Sequence, residues 1–189
     1  MTSSSAAPQR RRSDAERNRD RILVAAREVL ADRAAEVSMA EVARRAGVGM
    51  ATLYRNFPGR RELLEALFAG EVDELCQAAG QVSGSPGEAL LAWLRRFAVF
   101  HHSKHPIAAE LLRHTDAADP VFGSSRDRVL AAGQPLLDAA QQAHQVRADL
   151  TLDQVLDLVL AAATIPGKPA YVEPILRAAL DGLRGCSDR

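Results

Sequence analysis

The sequence predicts an all-α protein of about nine helices. Apolar residues recur every three to four positions along most of the 189 residues, which is the spacing of amphipathic helices. No stretch alternates apolar and polar residues in the way that a half-buried strand does. At three points a Ser or Thr precedes a Glu or Gln by three positions ahead of an apolar run, which is the capping-box signature of a helix start.

The N-terminal segment changes in character near residue 15. Residues 1–14 are rich in Ser, Ala, Pro and Arg, a composition that cannot build a core, so we expect a disordered basic arm there. From about Ala15 to Arg33 the apolar positions recur at helical spacing and predict the first helix.

The next two predicted helices are short, and glycine or proline ends each of them. The second helix, 39–46, begins with a capping box formed by Ser38 and Glu41. Gly47 can take the positive φ that ends a helix. The third helix, about 50–56, has only two turns before the Pro-Gly pair that follows it.

Six further helices are expected in the rest of the chain. Capping boxes start two of them, at Ser85–Glu88 and Thr151–Gln154, and prolines open three others. The expected limits are about 60–79, about 86–103, a short helix from Pro106, about 120–145 with Pro135 able to kink it, about 152–165 and about 169–184.

Charge is distributed unevenly, although the net charge of the chain is zero. Residues 1–61 carry 13 Arg and 7 acidic residues, a balance of +6, and residues 62–189 carry the opposite balance. A basic front of this kind attracts phosphate backbones. A charged face that is merely solvated has the same composition, so charge alone does not choose between these interpretations.

The composition argues against several classes of protein. No stretch of 18 apolar residues is present, and the N-terminus lacks the apolar core of a secretory leader. The two cysteines, Cys76 and Cys186, are 110 positions apart and indicate neither a disulfide framework nor a metal-binding motif. We therefore expect a cytoplasmic protein.

The short third helix is best explained as the second helix of a helix-turn-helix. Two helices joined by a tight glycine-containing turn and packed on a third form this motif, whose second helix lies in the DNA major groove. Leu53 and Phe57 are four positions apart and suit the buried side, while Met50, Tyr54 and Arg55 fall on or near the exposed side. A hairpin inside an ordinary helical bundle is the structural alternative.

The segment 38–67, SMAEVARRAGVGMATLYRNFPGRRELLEAL, resembles the DNA-binding domain of the TetR family of bacterial transcriptional regulators. The patterns A-x-x-A-G-V and T-L-Y-x-x-F, followed by a basic residue at the start of a long helix, carry the resemblance. The run 139–149 and the apolar helix after it are similar to the SbtR-like branch of the larger family domain. The expected division is a basic arm over 1–14, a helix-turn-helix domain over 15–60 and an effector-binding and dimerisation domain over 61–189.

The resemblance implies a DNA-binding transcriptional regulator, without enzymatic activity or a cofactor, that binds a palindromic operator as a homodimer. Repression relieved by a small-molecule effector is the expected mode of action. Tyr54 and Arg60 would contact phosphates, Thr52 a phosphate or a base edge, and Asn56 the DNA backbone. The residues expected at the DNA are Met39, Ala40, Arg44, Met50, Ala51, Thr52, Tyr54, Arg55, Asn56 and Arg60.

The residues expected to read bases depart from the usual chemistry of the family. Ala40 and Met50 stand where relatives read bases, yet neither can form the bidentate hydrogen bonds that discriminate bases. Thymine-methyl contacts, Arg44 or Arg55, or DNA shape would then supply specificity. The arm, with Arg10–Arg12, either enters an adjacent minor groove or is a solvated tail.

An effector pocket is expected among the helices of the larger domain. Its candidate lining follows an aromatic stripe on the fifth helix, for which plain core packing is the alternative role. Because the stripe is mainly apolar, we expect an apolar or amphipathic effector. The candidate residues are Trp93, Phe97, Phe100, His101, Leu111, His114 and Phe122.

The last two predicted helices are expected to pair with their copies in the dimer. The first of them is apolar on nearly every side and therefore needs partners on all sides. The second adds another apolar stripe. The residues expected at the interface are Leu152, Val155, Leu156, Val159, Val172, Ile175, Ala179 and Leu183.

Two other classes of function remain open from the sequence. A helical enzyme or metal-binding protein would use His101, His105 and His114. Metal binding is not expected, because His105 precedes Pro106, which disfavours helical geometry, and no complete ligand set lies nearby in the sequence. A helical interaction module would instead bind acidic protein surfaces through the basic front.

Overall fold

A computed structural model describes residues 7–31, 38–112 and 120–184. The described residues form eight helices and no strand, which confirms the predicted all-α class. None of these helices is both long and apolar enough to cross a membrane. The helices are α1 (Ala7–Ala31), α2 (Met39–Ala46), α3 (Met50–Asn56), α4 (Arg60–Ala79), α5 (Pro86–Leu112), α6 (Pro120–Gln142), α7 (Leu152–Ala163) and α8 (Pro169–Asp181).

Helix α1 begins at Ala7, eight positions before the predicted start at Ala15. The expected disorder over 1–14 is therefore wrong for 7–14, and 1–6 lie outside the described residues. Arg, Gln and Ala are strong helix formers, and Pro8 falls in the first turn, where a missing N–H costs nothing. The prediction of disorder rested on composition, because residues 7–14 have no apolar face.

Helix α5 runs without a break to Leu112, so the short separate helix predicted from Pro106 does not exist. This accounts for eight helices where nine were expected. A proline inside a helix removes one hydrogen bond but does not have to end the helix. Buried side chains anchor α5 on both sides of the proline, at Phe100, Ile107 and Leu111.

Most helix starts follow the predicted local signals. The Ser38 hydroxyl accepts a hydrogen bond from the Glu41 amide, and Gly47 ends α2 with a φ of 62°. Thr151 and Gln154 form both hydrogen bonds of the capping box. The Glu88 carboxylate accepts from the Ser85 amide at 2.9 Å, which is one half of the box predicted there.

The described chain forms two compact units. The N-terminal unit contains residues 7–31, 38–68 and 106–112, and the C-terminal unit contains 69–105 and 120–184. The core of the N-terminal unit includes side chains with no exposed surface from each of its first three helices: Ile22, Ala26, Val42 and Leu53. The core of the C-terminal unit includes Trp93, Leu94, Leu137 and Val155.

Candidate nucleic-acid interface

A tight turn between α2 and α3 sets the position of the short helix. The Val48 amide donates to the Ala43 carbonyl at 3.0 Å, and the positive φ of Gly47 reverses the chain. Gly49 precedes α3 in an extended conformation and provides no side-chain cap. Together with α1, these helices form the helix-turn-helix arrangement that the sequence predicts.

Helix α3 has one buried and one exposed side, as predicted. Leu53 is completely buried and Phe57 is 1% exposed, so both belong to the core of the N-terminal unit. On the other side Met50 is 40% exposed and Tyr54 is 47% exposed. A large thioether and a phenol on a two-turn helix are therefore available to a partner.

The remaining candidates on α2 and α3 are also accessible. The exposed candidates are Ala40, Arg44, Ala51 and Arg55. The partly exposed candidates are Met39, Thr52 and Asn56. Both helices thus present accessible candidate contact residues. No residue of the predicted set on these helices is buried.

Arg44 already has a strong partner on its own helix. Its guanidinium donates to both carboxylate oxygens of Glu41, at 2.8 and 2.7 Å, and Arg45 donates to the same carboxylate at 2.8 Å. The hydrogen bonds from Arg44 and then Arg45 lower the pKa of Glu41 to about 2. The carboxylate is therefore ionised at neutral pH and offsets one of the two positive charges.

Arg55 lies along α3. Its Nε donates to the Ala51 carbonyl at 3.1 Å and its Nη2 to the Thr52 hydroxyl at 3.0 Å. The Asn56 side-chain amide donates to the Thr52 carbonyl at 2.8 Å. These local bonds hold both side chains against α3 and use part of their hydrogen-bonding capacity.

Arg60 has a partner that the sequence analysis did not single out for it. Its Nη2 donates to a carboxylate oxygen of Glu110, near the end of α5 and 50 positions away. The side chains of Arg60 and Glu110 are 20% and 9% exposed. The residue expected to contact phosphate is therefore held in a mostly buried ion pair.

Two arginines of α1 support α3 and the turn before it. The Arg19 guanidinium lies over the Phe57 ring, 4.5 Å from the ring centroid, in a cation–π contact. The Arg21 guanidinium reaches the Gly47 carbonyl, with 3.4 Å between nitrogen and oxygen. Sequence analysis missed both contacts, since the partners are far apart along the chain.

The described residues of the predicted effector pocket belong to both units. Trp93, Phe97 and Phe100 are buried in the C-terminal unit, with the first two rings stacked at 6.3 Å. Leu111 belongs to the N-terminal unit. Phe122 is partly exposed and His114 lies outside the described residues.

A cavity of about 260 Å³ lies elsewhere in the C-terminal unit. Helices α4 and α5 line it, and Phe100 is its only member from the predicted set. Carboxylates and a guanidinium share the lining with apolar side chains, so it is more polar than predicted. The lining residues are Glu71, Glu74, Leu75, Ala78, Arg96, Val99 and Phe100.

His101 contacts aromatic rings. Its ring lies edge-on to Phe97 at 4.5 Å and to Phe100 at 5.1 Å. Burial, with a smaller contribution from the Arg126 charge, lowers the pKa of His101 to about 4. The imidazole is therefore neutral at pH 7.

The histidine cluster cannot be assembled from the described side chains. The side chain of His105 and all of His114 lie outside them, although the helical backbone of α5 passes through residue 105, against the expectation from Pro106. Among the described residues, no three His, Cys, Asp or Glu side chains form a group suited to a metal ion.

Most residues expected at the dimer interface are buried within their own chain. Helix α7 packs on both α6 and α8, and the buried stripes of α7 and α8 are apolar because they lie in this core. Two residues of the predicted set, Ile175 and Ala179, are partly exposed. Leu158 and Tyr171, which were not in that set, are 41% and 62% exposed. The buried residues of the predicted set are Leu152, Val155, Leu156, Val159, Val172 and Leu183.

Comparisons with known proteins agree with this architecture. Residues 22–67 match the family model described as bacterial regulatory proteins, tetR family. Residues 85–185 match the C-terminal domain of SbtR-like transcriptional regulators. No curated protein matches the sequence.

Solved structures similar to this chain are TetR regulators. The TetR transcriptional regulator SCO0520 from Streptomyces coelicolor is 35% identical, with a TM-score of 0.74 and coverage of 89% of this chain and 99% of that one. A TetR regulatory protein from Mycobacterium vanbaalenii is 31% identical, with the same TM-score and coverage of 92% and 98%. RolR in complex with resorcinol shares the fold at 22% identity. Its TM-score is 0.59, and the likeness covers 93% of this chain and 91% of RolR.

The helix-turn-helix, the exposed face of α3 and these likenesses define a DNA-binding transcriptional regulator. The chain belongs to the TetR family, and its C-terminal domain is of the SbtR-like type.

Proposed function

We propose that this regulator binds a palindromic operator as a homodimer and represses transcription until a small-molecule effector releases it. The exposed Met50 and Tyr54 on α3 carry this proposal, because the described residues leave 40% and 47% of their surfaces open to a partner. The unit also holds the basic part of the chain, where residues 1–61 have a balance of +6. Such a surface suits a polyanion whose grooves admit a helix.

The contacts with DNA divide by chemistry. Tyr54 and Thr52 contact phosphates through their hydroxyls, which positions α3 in the major groove. Met50 and Ala51 have no side-chain donors, so they read bases by apolar contact with thymine methyl groups. Arg44 and Arg55 are exposed and contact DNA with the guanidinium donors that their intramolecular bonds leave available.

Dimerisation uses the sides of α7 and α8 that face away from the protomer's own core. The buried stripes already have partners within the chain. Leu158, Ala161 and Tyr171 are exposed apolar residues on these helices and would be covered by a second copy. Burying such side chains across a twofold axis would stabilise the dimer through the hydrophobic effect.

The cavity beside Phe100 is the proposed effector site. Leu75, Ala78 and Val99 supply apolar contact area, while Glu71, with 3% of its surface exposed, places a carboxyl group at the cavity. This mixture suits an amphipathic molecule better than a hydrocarbon. RolR, which shares the fold, was solved with resorcinol, a small molecule with apolar and polar parts.

The test is DNA binding by the purified protein. A short labelled duplex is titrated at several salt concentrations, and the mass of the complex is measured. We expect log affinity to fall linearly with log salt concentration, and two protomers to bind each duplex. Binding that does not depend on salt, or a monomeric complex, would contradict the proposal.

A further inference from the structure

The Arg60–Glu110 ion pair lies at the junction of the helix-turn-helix with the rest of the N-terminal unit. Arg60 is the first residue of α4 and follows α3 after only three residues. Glu110 comes from the last turn of α5. The pair therefore connects the start of α4 to the end of a helix that is distant in sequence.

The pairing changes what Arg60 can offer to DNA. A guanidinium bonded to a carboxylate forms an almost neutral pair, and the negative charge repels an approaching phosphate. Arg60 is also only 20% exposed. In this conformation it contributes little to a phosphate contact, although the family resemblance places one there.

Glu110 is held firmly in its position. Its side chain is 9% exposed, and Ile107 and Leu111 beside it on α5 are 5% and 0% exposed. Its apolar neighbours anchor this end of α5 in the core, and separating a buried carboxylate from the guanidinium that pairs with it is costly. A surface ion pair would exchange partners far more easily.

The adjacent arginine provides that comparison. Arg61 pairs with Glu65 on the same helix at 2.6 Å, and the two side chains are 46% and 30% exposed. This pair is more accessible to solvent and contributes little to stability. The two pairs have the same chemistry and differ mainly in burial.

We propose that Glu110 withholds Arg60 from the DNA phosphates, so that the position of the end of α5 sets the number of phosphate contacts. The proposal rests on the proposed function, since it requires that α3 binds DNA. Release of Glu110 adds one phosphate contact per protomer. The end of α5 thus acts as a regulatory element on DNA affinity.

The test measures how affinity for a labelled duplex depends on salt in four full-length proteins. They are the wild type, Glu110→Gln, Glu65→Gln, and the double variant Arg60→Gln/Glu110→Gln. The Glu110→Gln change keeps the shape of the side chain, and Glu65→Gln removes the same charge from the same unit. Thermal unfolding verifies that each protein is folded.

The slope of log affinity against log salt is the decisive quantity, because each phosphate contact contributes about 0.9 to it. Glu110→Gln should steepen the slope by about 0.9 per bound protomer, an extra loss of about 3.5-fold for one protomer and about 12-fold for two between about 50 and 200 mM salt. Glu65→Gln should leave the slope near that of the wild type. The double variant should return to the wild-type slope.

Two results would overturn the inference while leaving DNA binding established. One is equal slopes for Glu110→Gln and Glu65→Gln, which would show that Glu110 acts only through net charge. The other is a steep slope in the double variant, which would show that the added contact is not made by Arg60. Absence of salt-dependent binding by the wild type would instead refute the proposed function itself.

Discussion

Gly133 of α6 lies against the indole of Trp93 on α5. A Cβ at position 133 would stand 2.5 Å from Cζ3 of the ring, which is closer than real Cβ contacts. The indole is completely buried, and its Nε1 donates to the Leu75 carbonyl at 3.1 Å. The ring cannot move aside without breaking this bond, so only glycine fits at position 133.

Replacing Gly133 by Ala should therefore destabilise the C-terminal unit. Overpacking of this kind costs about 1–3 kcal/mol, and loss of the indole hydrogen bond adds to it. Urea unfolding followed by the fluorescence of the single tryptophan would measure the change.

Gly123 provides a matched control on the same helix. A Cβ there would meet nothing within 4 Å, so Gly123→Ala should stabilise by about 0.5–1 kcal/mol through helix propensity. Equal effects of the two substitutions would contradict the packing described around Trp93.

Gly49→Ser should stabilise the N-terminal unit slightly. Gly49 precedes α3 with a φ of −72° and a ψ of 152°, which any residue can adopt, and there is open space for a Cβ. A serine hydroxyl can accept one of the free amides at the start of α3, a gain of a few tenths of a kcal/mol. Thermal unfolding of the two proteins would measure it, and a lower midpoint for the variant would contradict the geometry.

Stability should fall between pH 6.5 and about pH 4 because of His101. The folded protein keeps the pKa of this imidazole at about 4, against an ordinary 6.5, so the unfolded chain binds a proton that the folded protein excludes. The stabilisation is present above pH 6.5 and lost as the pH falls to about 4, with a size on the order of 1–2 kcal/mol.

Comparison of the wild type with His101→Leu would isolate this contribution. Unfolding free energies at pH 7 and pH 5 should differ less in the variant. The Glu41 carboxylate does not interfere, since its pKa, lowered to about 2 from 4.5, changes stability mainly below about pH 5 and does so equally in both proteins. An unchanged pH dependence in His101→Leu would show that the imidazole is not the titrating group.

Tyr54→Ala should weaken DNA binding without lowering stability. The side chain is 47% exposed, so folding does not depend on it. Loss of a hydroxyl-to-phosphate bond costs about 1.5–3 kcal/mol, which is roughly a tenfold to hundredfold loss of affinity. Val24→Ala, at another half-exposed position of the same unit, is the control and should bind DNA like the wild type.

Local signals predicted the helix-turn-helix well. Ser38, Gly47 and the Pro-Gly pair at 58–59 act within one turn of the chain, and α2 and α3 have the predicted limits. The burial of Leu53 and Phe57 also followed from their spacing. Such features depend on short-range hydrogen bonds and on the periodicity of a helix, both of which are visible in a sequence.

Features that depend on tertiary packing were not visible. The pairing of Arg60 with Glu110 joins residues 50 positions apart, and neither residue type indicates its partner. The stripe around Val155 could not be assigned to a protomer core or an interface, because both bury the same apolar side chains. Continuation of α5 through position 106 likewise depends on the anchoring of Ile107 and Leu111 in a core.

The most direct test of operator recognition is selection of genomic DNA fragments by the purified protein, with Tyr54→Ala selected in parallel. We expect the wild type to recover fragments that share an imperfect palindrome with half-site centres about 10 base pairs apart, and the variant to recover far fewer of them. Recovery of fragments without a shared motif, or of the same fragments in the same amounts by both proteins, would contradict the assignment of α3 as the recognition helix.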